Sequence, residues 1–201
     1  SLDLPLDFSR PRRRQNQGGR HILETADGMG RQLEEGARAL GISLFQLLLG
    51  ATALLLFNRS GETDFVVGTP SAGRWHRDLE PLVGFFLNMV PIRICFEETI
   101  TGKALLETAA RCALEALSME RYPFERIVAD AGLAEDPGRH PLFDVMLIVH
   151  NQEPARFALP DCSVQEMALP QPGCRFDLDF EWHTTGGGWG FLDYDAALFT
   201  P

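Results

Sequence analysis

The chain has 201 residues, the size of one domain or of one lobe of a larger one. Hydrophobic residues make up 45% and charged residues 23%, a globular balance that excludes a wholly disordered chain. Eighteen Lys and Arg stand against 28 Asp and Glu, a formal net charge of -10, and an acidic chain repels phosphate, which argues against a general nucleic-acid binder.

Residues 1–19 differ in composition from the rest. Pro5, Pro11, Arg10, Arg12, Arg13 and Arg14 make an extended, basic lead-in. Such a run serves either as a nucleic-acid arm or as a solvated connector to the first strand. The acidic body and the absence of an aromatic platform beside the arginines favour the connector. Residues 20–201 read as one unit. Arg20–Glu24 suits a short strand, and Asp27 is expected to cap a helix to about Leu40, with Leu33, Ala37 and Leu40 on one face and Gly41 as the stop. Ser43 is expected to cap a second helix, Leu44 to Arg59. This helix is apolar on nearly every side, so the pattern predicts deep burial, and a carboxylate at its midpoint, Leu54, is expected to unfold the lobe. Its apolar run is too short to span a membrane, and the first residues lack a basic-then-apolar signal.

Phe65-Val66-Val67 predicts a short buried strand closed by Pro70, followed by a polar loop over Ser71–Leu79. Phe86–Phe96 alternates, with Val90, Ile92, Ile94 and Phe96 on one face, which is strand period; Pro91 marks an edge or a bulge. Thr101 caps an amphipathic helix to about Met119, whose stripe is Leu105, Leu106, Ala109, Ala113, Leu114 and Leu117. A further helix follows Pro123 to about Ala131. Phe143–Val149 is another apolar strand. Asn151–Pro172 reads as an irregular arm, and Arg175–Trp182 and Trp189–Tyr194 as strands joined across residues 184–188. Helices and strands interleave irregularly, an α+β chain. The four cysteines, Cys95, Cys112, Cys162 and Cys174, are scattered without a C-x-x-C pair and read as free thiols of a reducing cytoplasm.

Familiar catalytic spacings are missing. The five histidines form no H-E-x-x-H, Gly102-Lys103 lacks the upstream glycine of a phosphate loop, and there is no G-x-S-x-G elbow. Two segments bracketed by glycine and proline stand out: Val67–His76, V-G-T-P-S-A-G-R-W-H, and Leu82–Arg93, L-V-G-F-F-L-N-M-V-P-I-R. Gly68, Gly73 and Gly84 permit close backbone approach. Thr69, Ser71, Arg74 and Asn88 are placed to line a polar channel at strand ends. Pattern alone is also met by turn chemistry with an internal Arg–carboxylate pair. Asp177, between Phe176 and Leu178, suits a buried, hydrogen-bonded carboxylate.

These segments resemble the V-G-T-P-x-A-x-R and I-G-F-F-V-N-x-x-P-x-R signature of condensation domains of nonribosomal peptide synthetases. Glu120–Glu125 resembles H-Q-D-Y-P-F-E, Arg139–Met146 resembles R-N-P-L-F-Q-V-M, and Arg175–Leu178 resembles K-F-D-L. Leu4-Pro5-Leu6-Asp7 with Arg10-Pro11 resembles the opening of the second lobe of such domains, and Gly190–Phe199 their late strand, G-x-x-x-Y-x-x-x-L-F. There are departures: Gly73, Met89 and the pair Glu120-Arg121 replace the commoner residues. The chain also holds no H-H-x-x-x-D-G, the first-lobe motif, and is therefore similar to the C-terminal lobe alone.

The resemblance implies one lobe of a chloramphenicol-acetyltransferase-like fold, a mixed sheet packed with helices, forming one wall of a channel between two lobes. There a carrier-bound acceptor amine attacks a carrier-bound donor thioester. Gly68, Thr69, Ser71, Arg74 and Asn88 would contribute to that wall. Asn88 would bind a pantetheine amide or pin the Gly68–Arg74 turn, and its loss would cost activity more than folding. Arg74 would pair structurally, with a carboxylate or with its own loop. Tyr122, Pro123 and Phe124 would anchor the helix start in the core or dock a carrier. His76 is an exposed loop histidine before it is a base. No cofactor or metal is expected on the chain itself, because substrates arrive on phosphopantetheine. The expected partners are the N-terminal lobe, donor and acceptor peptidyl carrier proteins and a neighbouring adenylation domain, with neither nucleic acid nor membrane. A non-catalytic docking module of the same fold, or an epimerisation or acyltransferase relative, remains the alternative.

Overall fold

A computed structural model of the chain describes residues 2–23, 25–134, 136–150, 162, 173–184 and 188–201. The elements run β1 (Gly18–Leu23), α1 (Met29–Ala39), α2 (Leu44–Ser60), β2 (Asp64–Ser71), β3 (Asn88–Cys95), α3 (Gly102–Ser118), α4 (Phe124–Ala131), β4 (Val145–His150), β5 (Leu178–His183) and β6 (Trp189–Asp195). The strands form one mixed sheet in the order β1-β6-β5-β4-β2-β3. Its centre is parallel, β2 beside β4 and β4 beside β5, and its flanks are antiparallel. This is the expected α+β architecture, a mixed sheet packed with helices. The arm expected over Asn151–Pro172 lies outside the described residues, Cys162 apart.

Period-two alternation divides the sheet into two faces. Phe65, Val67, Val90, Ile92, Ile94, Val145 and Leu147 face α2 and α3 and build the main core. Phe143, Met146 and Phe176 form a smaller cluster on the opposite face, where Phe124 packs. Pro91 lies on β3, an edge strand, where its missing N–H leaves no ladder bond unmade. Pro70 does not close β2, which continues to Ser71 in register with Asn88. Ser43 and Thr101 cap α2 and α3 as expected, accepting from Gln46 N and Ala104 N. Asp27 does not cap α1; Gly28, in the left-handed region, holds that position.

The uniform apolarity of α2 is misleading. Its buried residues are Gln46, Leu49, Gly50, Thr52, Ala53 and Leu56, a stripe of helical period, and Leu54 and Leu55 are 43% and 41% exposed. The expectation for Leu54 is therefore overturned, because only one side of α2 meets the sheet and α3. Leu40 and Leu114, placed on apolar stripes from the sequence, are likewise exposed. Among the described residues no single helix is long and apolar enough to cross a membrane.

Nor is the lead-in a solvated connector throughout. Leu2 and Leu4 sit in the main core. Arg10 grips the fully buried carboxylate of Asp177 with both terminal nitrogens, and Arg14 donates to Asp177 at 3.1 Å and to Asp195 at 3.3 Å. Arg12 and Arg13 remain exposed.

These placements predict that Leu49→Ala lowers unfolding free energy by about 2–5 kcal/mol. Leu54→Ala should change it by about 0.5 kcal/mol or less. Denaturant titration of both variants measures the contrast, and equal losses would mean that α2 is buried all round.

Candidate functional site

The carboxyl ends of the parallel strands β2 and β4 open into a groove of about 890 Å³. Thr69 and Pro70 of β2 and Ile148, Val149 and His150 of β4 form its floor; Arg38 of α1 and the first residues of α2 form one side, and Leu87 and Leu117 contribute to the rest. A crevice outside the carboxyl ends of parallel strands is the usual ligand position in sheets of this kind.

The sequence-predicted residues are brought to this end of the sheet, with differing parts. Thr69, buried, lines the groove. Gly68 does not: it faces the other side, where a Cβ would overlap the Phe143 ring, so glycine is required there by packing. Ser71 lies opposite Asn88 in the β2–β3 ladder, so the two segments converge as expected. Ser71 Oγ donates to the Glu120 carboxylate and accepts from Gly73 N at 3.2 Å. Gly73 has φ 63° and would drive a Cβ into the Phe86 carbonyl, so this turn needs glycine twice over.

Asn88 does not pin the Gly68–Arg74 turn; its amide holds a different one. Nδ2 donates to Glu120 O (2.7 Å) and Tyr122 O (2.9 Å), and Oδ1 accepts from Phe124 N (3.0 Å). One side chain thus holds the turn between α3 and α4 against the end of β3. Arg74 has no carboxylate partner among the described residues. It donates to Leu79 O and Glu80 O and lies 4.7 Å from the Phe86 ring centre, which orders its own loop. His76 is exposed and caps the short helical turn Arg77–Leu79 through Asp78 N. Phe124 packs against His140 and Phe143, whereas Tyr122 and Pro123 are exposed and not core anchors.

Two groove residues, Arg38 and His150, lie in no motif of the sequence and on elements far apart in the chain, and Leu87, though within a signature segment, was not singled out. Glu120 stood out only as a departure from a motif, yet it joins Ser71 to Asn88 through its carboxylate and its carbonyl.

A second hollow, of about 440 Å³, opens on the opposite face beside His140, Cys174, Asp179 and Asp193. Arg20 satisfies Asp193 with two bonds of 2.6 Å. Asp179 has one buried oxygen without a hydrogen bond. Burial, then the charges of Glu181 and Asp193, push its carboxyl up to about 7 against the pull of Arg20. Burial, with the charge of Arg14, holds the His140 imidazole down at about 4.

Two outcomes follow from this geometry. Asn88→Ala should cost about 2–4 kcal/mol of stability, for three lost bonds and the carbonyls left behind. Calorimetry checks it, and an unchanged thermal midpoint would mean the turn is held by other groups. Asp179 binds its proton more tightly folded than unfolded, so stability falls as pH rises from about 4 towards 7. Asp179→Asn removes that dependence. The variant should gain on the wild type progressively between those values and hold a constant advantage above them, read from thermal midpoints at pH 5 and pH 8.

Comparison with known proteins agrees with this architecture. The condensation domain family matches residues 1–201. Tyrocidine synthase 3 of Brevibacillus parabrevis is 33% identical over 207 residues, covering 99% of this chain and 3% of that synthetase. The X-domain from teicoplanin biosynthesis, solved alone and in complex with OxyB, superposes with a TM-score of 0.84 at 27% identity, over 99% of this chain and 46% of the X-domain chain in the structure solved alone. A holo four-domain nonribosomal peptide synthetase bound to AMP and glycine superposes at 0.87 with 23% identity, over 98% of this chain and 16% of that one, which speaks to fold alone. The chain thus spans a small part of the synthetase it matches and about half of the X-domain chain. A match along its whole length, with relatives of this kind, shows that the chain belongs to the condensation domain family of nonribosomal peptide synthetases.

Proposed function

We propose that the chain is the C-terminal lobe of a condensation domain and forms one wall of the channel in which a peptide bond is made. The observation that carries this reading is the groove at the carboxyl ends of β2 and β4, built from the segment that carries the family signature. An acceptor amine enters the channel from one side and a donor thioester from the other, each on the phosphopantetheine arm of a peptidyl carrier protein. The amine nitrogen attacks the thioester carbonyl, the C–S bond breaks, and the nitrogen's proton leaves with the thiolate as a thiol. Holding two tethered reactants in line turns a bimolecular encounter into a nearly unimolecular one, a gain of up to about 7–11 kcal/mol. In this scheme Thr69 is wall, Arg74 orders the loop at the rim, and the Ser71–Glu120–Asn88 network keeps the wall rigid. Phosphopantetheine enters this scheme as the substrates' tether and not as a group bound to the chain. Its partners are an N-terminal lobe with the H-H-x-x-x-D-G histidines, the two carriers and an adjacent adenylation domain, in a cytoplasm that keeps its four free thiols reduced.

A docking module is the second reading, favoured by the likeness to an X-domain solved with OxyB. Mixing the chain with both loaded carriers, with and without an N-terminal lobe carrying the histidine motif, separates the two. Mass spectrometry should find dipeptidyl thioester only when both lobes are present. Turnover by the chain alone would overturn the two-lobe reading; a folded two-lobe protein that binds carriers and makes no dipeptide supports the docking module.

A further inference from the structure

At the carboxyl ends of β4 and β5, His150 and His183 are partners in the parallel register. Glu181 precedes His183 by two residues, so both project from the same face of β5. Glu181 Oε2 lies 3.2 Å from His150 Nε2 and 3.9 Å from His183 Nε2. The ligating atoms of the three residues all lie within 4.8 Å of one another. The His183 ring is held in a stack, 4.4 Å from His150 on one side and 4.0 Å from Trp189 on the other. His150 is half-exposed and lines the groove.

We propose that His150, Glu181 and His183 form a binding site for a divalent transition-metal ion of the zinc type at the rim of the groove. Two imidazoles and one carboxylate are the donor set that zinc, cobalt and nickel favour, whereas calcium and magnesium take oxygen ligands. Metal–ligand bonds of about 2.0–2.2 Å bring donor atoms to about 3.0–3.5 Å from one another. The His150–Glu181 separation already meets this, and the His183–Glu181 separation exceeds it by a few tenths of an ångström. A side-chain rotation of His150, free because its ring is half in solvent, turns its Nε2 lone pair out of the parallel stack towards the ion. Both histidines stand on paired strands, which fix their backbones relative to one another, and their ligating nitrogens lie within 4.8 Å. Three protein ligands leave further coordination positions to water or to a donor atom entering the groove. The site is independent of the condensation reading.

The test uses the full chain without an affinity tag, stripped with chelator and titrated with zinc or cobalt. One equivalent should bind with a dissociation constant in the micromolar range, and cobalt should develop the visible bands of a nitrogen- and oxygen-ligated ion. His150→Ala and Glu181→Gln should each weaken binding at least about tenfold. His21→Ala, on β1, should leave it unchanged. Circular dichroism and thermal midpoints verify the fold of each variant, and Glu181→Gln decides if His150→Ala is destabilised. Absence of saturable binding, or affinity unaltered in folded His150→Ala and Glu181→Gln, would overturn the site.

Discussion

The carboxylate of Asp177, wholly removed from solvent, is the constraint around which this fold is arranged. A buried charge costs several kcal/mol unless it is paired and hydrogen-bonded. Arg10 and Arg14 supply the pairing from the lead-in. The Asp177 backbone completes the arrangement, its N–H donating to Asp144 O and its carbonyl accepting from Asp195 N. Asp144 in turn accepts from Arg139, which also reaches Asp3. One network therefore ties the lead-in to the starts of β4 and β5 and the end of β6. Parallel strands have no hairpin to set their register, and here a set of buried ion pairs holds that end of the sheet.

Fixing one end leaves the other available. At the carboxyl ends of β2 and β4 lies the groove, lined by residues of both strands and of α1 and α2. Polar groups brace its wall. Ser71, Asn88 and Glu120 hydrogen-bond to one another and to the turn at Glu120–Phe124, and so tie the ends of β2 and β3 to that turn. The family signature around them is in this sense largely a specification of architecture. Gly68 and Gly73 belong to the same specification: one makes room for Phe143, the other for the Phe86 carbonyl.

Much of this was legible in the order of residues. The alternation Val90, Ile92, Ile94, Phe96 marks β3 and its buried face, Ser43 and Thr101 mark helix starts, and Pro91 marks an edge, because each is a local matter of period, cap or missing donor. The convergence of Ser71 with Asn88 was legible too, since neighbouring strands in the chain commonly pair. The outward side of α2 was not, because a helix apolar all round carries no signal of which stripe faces the core. The binding partners of Asn88 were equally hidden, since a side-chain amide fits a ligand, a turn or a neighbouring loop with the same chemistry.

The sequence by itself determined the class of fold, the family and the segments from which the groove is built, because glycine, proline and alternating apolar residues act over a few positions. Tertiary structure alone decided what the polar residues do. Arg10 and Arg14 read as solvated arginines until Asp177 and Asp195, more than 160 positions away, close on them. His150 and His183 meet with Glu181 only because β4 and β5 pair in parallel. Hydrogen bonds and ion pairs act within about 3 Å, and no local pattern says which distant groups the folded chain will bring that close.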